Sequence, residues 1–208
     1  MPAVLLVRHG QASFGADDYD VLSELGREQS RVVGAELARR GLRDPLLVCG
    51  TLRRQRDTAR QLGLGEPRVD GRWDEYDHLG LLQRYPPATA ADPGTDSRGV
   101  QVLLDAALGA WVRDADGGWD GFSSGAAQAL AEAGAPGRDA VVVTSGGVIA
   151  ALAAQLLGGG ADTVVALNRV SANAAVSKVV VGRSGASLVS FNDHAHLEGG
   201  AQGLLTYR

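Results

Sequence analysis

An Arg-His-Gly triplet, Arg8-His9-Gly10, follows the aliphatic run Ala3-Val4-Leu5-Leu6-Val7. Arg53-Arg54 comes shortly after the run Leu46-Leu47-Val48-Cys49. Thr144-Ser145-Gly146-Gly147 closes the run Ala140-Val141-Val142-Val143. A neutral imidazole is a competent nucleophile when a hydrogen bond fixes its other nitrogen. A guanidinium offers a planar fork of donors that matches phosphate oxygens. A glycine beside the histidine lets a ligand approach the backbone. Helix N-termini opening near Thr51 and Gly147 would aim further N–H groups at an anion. These types in this arrangement suit phosphoryl transfer, with His9 as acceptor and Arg8 and Arg54 as phosphate-binding cations. Arg53, Arg56 and Arg60 read as an ordinary solvated helix face.

The elements that must position these groups alternate. Residues 3–7 read as a strand buried on both faces. Gly10 to Asp20 is a polar loop. Ser23 is a fitting N-cap, with Glu24 in the first turn. Leu25, Val32, Val33 and Leu37 then recur at helical spacing up to Gly41, a natural stop. Leu46–Cys49 is a second strand, and a helix opening at Gly50 or Thr51 runs to about Leu62. Val69–Trp73 is weakly strand-like. Ala140–Val143 is a third buried strand, followed by a helix over Val148–Leu157. Ala174–Val181 and Ala186–Phe191 alternate as strands do, joined through Gly182-Arg183-Ser184-Gly185 as a hairpin. Residues 77–125 break the alternation with Pro86-Pro87, Pro93-Gly94 and Asp116-Gly117-Gly118, around a helix over Val100–Val112. They read as an insertion over the core, before a helix at about Ser123–Ala133. Strands alternating with helices predict an α/β protein: one domain over 1–208, a three-layer α/β/α sandwich with a mostly parallel sheet and an inserted lid region. In such sheets ligands bind beyond the C-terminal strand ends, where the three motifs stand.

Bulk properties narrow the partners. The chain has 208 residues, 45% hydrophobic and 21% charged, with a formal net charge of −4. No basic tail or stripe appears, so nucleic acid and anionic membranes are not expected partners. Lys178 is the single lysine. Cys49, the one cysteine, allows no internal disulfide and no Cys-based metal site, and reads as a small core residue. The apolar start is too short for a signal segment and no run is long enough to span a bilayer, so a cytoplasmic location is expected.

Several segments together resemble the histidine phosphatase superfamily, the phosphoglycerate mutase-like proteins. Leu5-Leu6-Val7-Arg8-His9-Gly10-Gln11-Ala12 looks like its signature. Leu22-Ser23-Glu24-Leu25-Gly26-Arg27-Glu28-Gln29 is similar to its Leu-Thr-x-x-Gly-x-x-Gln helix start. Leu52-Arg53-Arg54-Gln55-Arg56-Asp57-Thr58-Ala59 resembles its Leu-x-Arg-Ala-x-x-Thr-Ala segment. Trp73-Asp74-Glu75-Tyr76-Asp77 resembles the segment with the acidic proton donor, and Phe191-Asn192-Asp193 with His196-Leu197 a tail motif of the phosphatase branch. The resemblance implies catalytic roles for His9, Glu75, Arg8 and Arg54. It implies a metal-independent phosphatase acting on a small phosphorylated metabolite through a phosphohistidine on His9, with no cofactor. Gln11, Ser13, Ser145, Gly146 and His78 complete the candidate phosphate- and substrate-binding set.

Three departures stand out. Ser145 occupies the place of the family's second histidine, which helps bind the transferring group. Neither residue of the family's Glu-Ser stretch is present near Gly117-Gly118, and a common Asn is replaced around Gly15. Losing one transition-state donor typically costs about 10²–10³ in rate, so reduced activity is expected. His78, three residues beyond Glu75, is a candidate replacement imidazole; a surface-loop histidine is the other reading. His194 and His196 read as structural or rim residues. The alternatives are a non-catalytic phospho-ligand-binding protein and a phosphoglycerate mutase-type phosphotransferase. The sequence leaves a homodimer open.

Overall fold

A computed structural model describes residues 2–13, 20–86, 97–135, 137–198 and 203–207. The loop expected at Gly10–Asp20 lies partly outside these residues, as do Gly15, Pro87 and Pro93-Gly94 of the sequence reading. Six strands form one sheet in the order β3-β2-β4-β1-β5-β6. They are β1 (Ala3–Arg8), β2 (Leu46–Cys49), β3 (Arg68–Val69), β4 (Ala140–Thr144), β5 (Val176–Gly182) and β6 (Gly185–Asp193). The β3-β2-β4-β1 half is parallel, and β5 and β6 extend it antiparallel. The expected α/β fold with a mostly parallel sheet is the one observed.

Side-chain alternation along each central strand divides the core in two. Val4 and Leu6 of β1 point to one face, against Ala126, Ala129 and Leu130 of α5 (Trp119–Gly134) and Ile149 and Leu152 of α6 (Gly146–Leu156). Leu5 and Val7 point to the other, against Val33 and Leu37 of α1 (Glu24–Arg39) and Ala59 and Leu62 near α2 (Arg53–Gln61). Cys49 is fully buried there, and burial pushes its thiol up to about 11. It is a core residue, as its apolar setting in the sequence suggested.

Local chemistry sets the element ends. Ser23 caps α1 by accepting the Gly26 N–H at 3.0 Å, and Gly41 takes a left-handed φ of 65° just beyond it. Gly185, at a φ of 112°, closes the β5–β6 hairpin opposite Gly182. The structure departs from the sequence reading at five elements. The strand expected over Val69–Trp73 shrinks to β3, because Asp70 accepts the Arg72 N–H at 3.0 Å and caps a 3-10 turn, Gly71–Trp73, that buries Trp73. β5 begins at Val176 rather than Ala174, because Ala174 takes a left-handed φ of 56°. The helix expected from Ser123 starts at Trp119, where left-handed Gly118 admits the turn. Two helices were not foreseen, α3 (His78–Arg84), capped by Asp77, and α7 (Ala161–Val170), which follows Gly158-Gly159-Gly160.

Between β3 and β4 the chain adds α3 and α4 (Ser97–Arg113) before α5. These do not float over the sheet. Leu81 of α3 and Ala107, Leu108 and Trp111 of α4 pack against Ala150 and Ala154 of α6 and Val164 of α7. Tyr76, Trp111, Trp119 and Phe122 form an aromatic cluster beside them, with ring centroids 5.0–6.1 Å apart. Among the described residues no helix is long and apolar enough to cross a membrane.

Candidate active site

The sheet register brings three motifs to one edge. Arg8 pairs with Thr144, and Cys49 with Val143, so β1, β2 and β4 end level with one another. The His9 N–H continues the ladder to the Thr144 carbonyl at 2.9 Å. Gly10 then turns over α1. A Cβ at Gly10 would sit 2.3 Å from the Gly26 carbonyl oxygen, and one at Gly26 would sit 2.1 Å from that of Gln11. The loop after β1 and the first turn of α1 therefore touch backbone to backbone, which only glycine permits.

His9 is 95% buried, and its ring is held from both sides. Nδ1 lies 2.7 Å from the Gly10 carbonyl, and Arg54 Nε donates to Nε2 at 3.2 Å. A nitrogen that accepts from a guanidinium presents a lone pair, so Nδ1 carries the proton given to Gly10 and Nε2 is the unprotonated nitrogen, the one able to act as a nucleophile. Burial, and then the charges of Arg54 and Arg8, hold the imidazole well below its usual pKa. It is neutral, as nucleophilic attack requires.

Arg54 is nearly buried at the start of α2. Asp20 accepts its Nη1 at 2.8 Å and the Arg53 N–H at 2.7 Å, so one carboxylate both orients the guanidinium and caps the helix. Thr58 ties the same helix to the nucleophile loop, donating to the Arg54 carbonyl at 2.8 Å and accepting the Gly10 N–H at 3.1 Å. Arg8 is aimed differently. Its Nη1 donates to the carbonyls of Ser171 and of Tyr207, the latter at 3.0 Å. Asn192 holds the first of these loops, accepting the Ala172 N–H at 2.8 Å and donating to the Val170 carbonyl at 2.7 Å. Gln29 holds the second, donating to the Leu204 carbonyl at 2.7 Å and to Thr206 Oγ1 at 2.8 Å.

Glu75 meets the start of α6. Its Oε2 accepts the Gly147 N–H at 3.0 Å, and Oε1 accepts the Tyr76 N–H at 3.3 Å. A Cβ at Gly147 would lie 2.3 Å from Glu75 Oε1, so the glycine is what lets the carboxyl reach the helix end. Burial raises the Glu75 pKa, against the opposing pull of that N–H and of Arg54 and Arg8. A carboxyl whose pKa burial raises, together with an imidazole whose pKa burial lowers, is a pairing of acid and nucleophile that phosphoryl transfer can use.

Arg8, His9, Arg54, Glu75, His78 and Gly146 line one cavity of about 350 Å³. Gln11, Ser13 and Ser145 do not contribute to its wall among the described residues. Gln11 Oε1 instead accepts from Ser23 Oγ at 2.9 Å at the start of α1, and the Ser13 N–H donates to the Val21 carbonyl at 2.7 Å. The Ser145 side chain is fully buried, and its Oγ accepts from Gln55 Nε2 at 2.8 Å. His78 lines the wall, half-buried, with a pKa lowered by burial. Tyr76, Asn168 and Tyr207 also reach the cavity. Sequence reasoning passed over Asp20, Gln55 and Asn168. An acidic residue flanking the first loop and a buried-type Gln in an Arg-rich helix were the available signals for the first two. Among the described residues no group of three or more His, Cys, Asp or Glu is placed to hold a metal ion.

The family model of the histidine phosphatase superfamily (branch 1) matches residues 4–96 and 123–194. The chain belongs to that superfamily. A curated acid phosphatase of Mycobacterium tuberculosis is 33% identical over 82 residues, a stretch covering 36% of this chain and 40% of that protein. The chain thus aligns with less than half of that relative's length. A mycobacterial glucosyl-3-phosphoglycerate phosphatase, solved with VO3, is 29% identical with a TM-score of 0.63, over 93% of this chain and all (100%) of that one. A phosphoserine phosphatase mutant of Entamoeba histolytica shares the fold at a TM-score of 0.64 and 17% identity, over 95% of this chain and 100% of that one. Family and relatives together support a phosphatase-type function for this histidine phosphatase superfamily member.

Proposed function

We propose that this protein is a phosphatase that hydrolyses small phosphomonoesters through a phosphohistidine at His9 Nε2. The observation that carries the reading is the fixed tautomer: Nδ1 tied to the Gly10 carbonyl, and Nε2 open-paired toward the guanidinium of Arg54. In the first half-reaction Nε2 attacks phosphorus and the ester P–O bond breaks. Glu75 gives its proton to the departing oxygen, releasing the alcohol. In the second, the Glu75 carboxylate takes a proton from water, the oxygen attacks phosphorus and the N–P bond breaks. Inorganic phosphate leaves, and both groups return to their starting protonation. Arg8 and Arg54 neutralise the phosphoryl oxygens throughout, which is the main electrostatic demand of such a reaction. The chemistry needs no metal ion.

One observation favours a slow version of this enzyme. Ser145 is fully buried, its Oγ accepting from Gln55 Nε2 in the core, and it is absent from the described cavity lining, so its hydroxyl does not replace an imidazole at the phosphoryl group. The missing donor corresponds to about 10²–10³ in rate. His78, on the cavity wall, is the candidate substitute, and a His78→Ala variant that loses activity would assign it that role. Retention of Glu75 opposes a purely binding protein, which has no use for a proton donor. The decisive experiment is phosphate release by wild type and His9→Ala, with acid-labile labelling of the protein from a ³²P-ester. The proposal expects label and turnover in wild type and neither in the variant. Equal turnover in both would overturn it.

A further inference from the structure

Beyond the phosphate end, the cavity changes character. Leu79 and Leu82 stand one helical turn apart on α3, and Val100 and Leu104 one turn apart on α4, all four lining the same wall. Leu79 is 61% exposed, so its side chain is accessible where it lines the cavity. The polar groups among them are already engaged with each other. Asp105, buried on α4, accepts from Arg169 Nε at 2.7 Å and from Gln101 Nε2 at 2.6 Å. Burial lowers the pKa of His78. Among the described residues lining the cavity, Arg8 and Arg54 at its phosphate end and the carboxylate-bound Arg169 are the arginines, and there is no lysine.

A leaving group with a carboxylate or a second phosphate would have to be stripped of water against four aliphatic side chains, where the further arginine of the described lining, Arg169, already has its Nε on the Asp105 carboxylate. That is a costly placement for an ion. A hydrocarbon or aryl group gains there instead, at about 0.8 kcal/mol for each methylene buried, which is about fourfold in affinity. Resting on the phosphatase reading above, we infer that the substrates are phosphomonoesters of apolar alcohols or phenols rather than of hydroxy acids or sugars. The α3–α4 wall selects the leaving group.

The test uses the full chain and two series of esters. One is n-alkyl phosphates from ethyl to octyl, together with phenyl and 1-naphthyl phosphate. The other is glycerol 3-phosphate, phosphoserine and 3-phosphoglycerate. The expected result is a rise in kcat/KM of roughly two- to fourfold per methylene until the wall is filled, and at least a 10-fold deficit for the carboxylated esters. Leu79→Asn, at an exposed position that leaves the core intact, should flatten the chain-length slope. Turnover of all esters with no slope, or preference for the carboxylated ones, would overturn the leaving-group inference while the phosphatase reading stands. No turnover of any ester would overturn both.

Discussion

Replacing Ser145 by histidine is the perturbation that most directly probes how this site was built. Adding an imidazole next to the phosphoryl group would seem to strengthen it, but the surroundings oppose that. Ser145 and Gln55 are both fully buried and joined by a 2.8 Å hydrogen bond, and the same Gln55 Nε2 donates to the Trp73 carbonyl at 3.0 Å. A five-membered ring in place of one hydroxyl must push the amide aside. Overpacking of a filled interior costs about 1–3 kcal/mol, and the lost hydrogen bond adds about 1 kcal/mol. For a chain of this size each kcal/mol lowers Tm by about 2–4 °C, so Ser145→His should unfold about 4–16 °C below wild type. Gln55→Ala removes the obstructing amide. In the Ser145→His/Gln55→Ala pair the ring can enter the vacated volume, and the cycle should show a favourable coupling of at least about 1 kcal/mol. Phosphate release should increase only in the double variant, with a ceiling of about 10²–10³. Thermal unfolding of the four proteins, with steady-state hydrolysis on each, completes the assay. A Ser145→His protein as stable as wild type, with no coupling to Gln55, would refute the packing argument and show that the ring turns freely into the cavity.

Three further outcomes follow from the geometry. Asp20→Ala removes the acceptor for Arg54 Nη1 and for the Arg53 N–H; it should cost about 1–2 kcal/mol in urea unfolding and roughly 10- to 100-fold in kcat/KM, while Asp20→Asn keeps most of the stability because an amide oxygen still caps the helix. Gly147→Ala places a methyl 2.3 Å from Glu75 Oε1 and 2.4 Å from Tyr76 Cε1, so kcat for an ester with a poor leaving group should fall more than for an activated aryl ester, which needs little proton donation; equal losses on both would count against Glu75 as the acid. The pH profile of kcat/KM should fall on the acid side as His9 gains a proton, at a pKa below 6.5, and on the alkaline side as Glu75 loses one, at a pKa above 4.5. The unfolded chain protonates His9 more readily than the folded one, so this residue makes stability rise as pH rises through that range up to 6.5, and His9→Gln should remove that increment from the pH dependence of denaturant midpoints.

The parts of the site that sequence made legible are those whose chemistry is carried by side-chain type and place in a strand-end motif. His9, Arg8 and Arg54 follow apolar runs, and a parallel sheet must bring such ends together. The helix after Ser23 announced itself by cap, period and terminal glycine. Ser145 shows where this kind of reading stops. Its position in the motif is legible, but the direction of its hydroxyl depends on Gln55, 90 residues away and on another element. The helix His78–Arg84 was hidden because it is short and lies where tertiary packing on α6, rather than period, decides the conformation.

Arg8 is the clearest case of a group legible in type and illegible in placement. Its partners are main-chain carbonyls, 163 and 199 residues away in the sequence. A carbonyl acceptor has no residue signature, since every position supplies one. What does leave a signature is the set of side chains that hold those carbonyls in place: Asn192, in a left-handed conformation at a φ of 56°, and Gln29 with Thr206 and Asn173. Asparagine tolerates that backbone conformation better than most residues, and its amide satisfies both the donor and the acceptor of the facing loop. The Phe191-Asn192-Asp193 segment, far from His9 in sequence, is therefore tied to the cavity through one loop and one guanidinium. What it sets is the aim of Arg8.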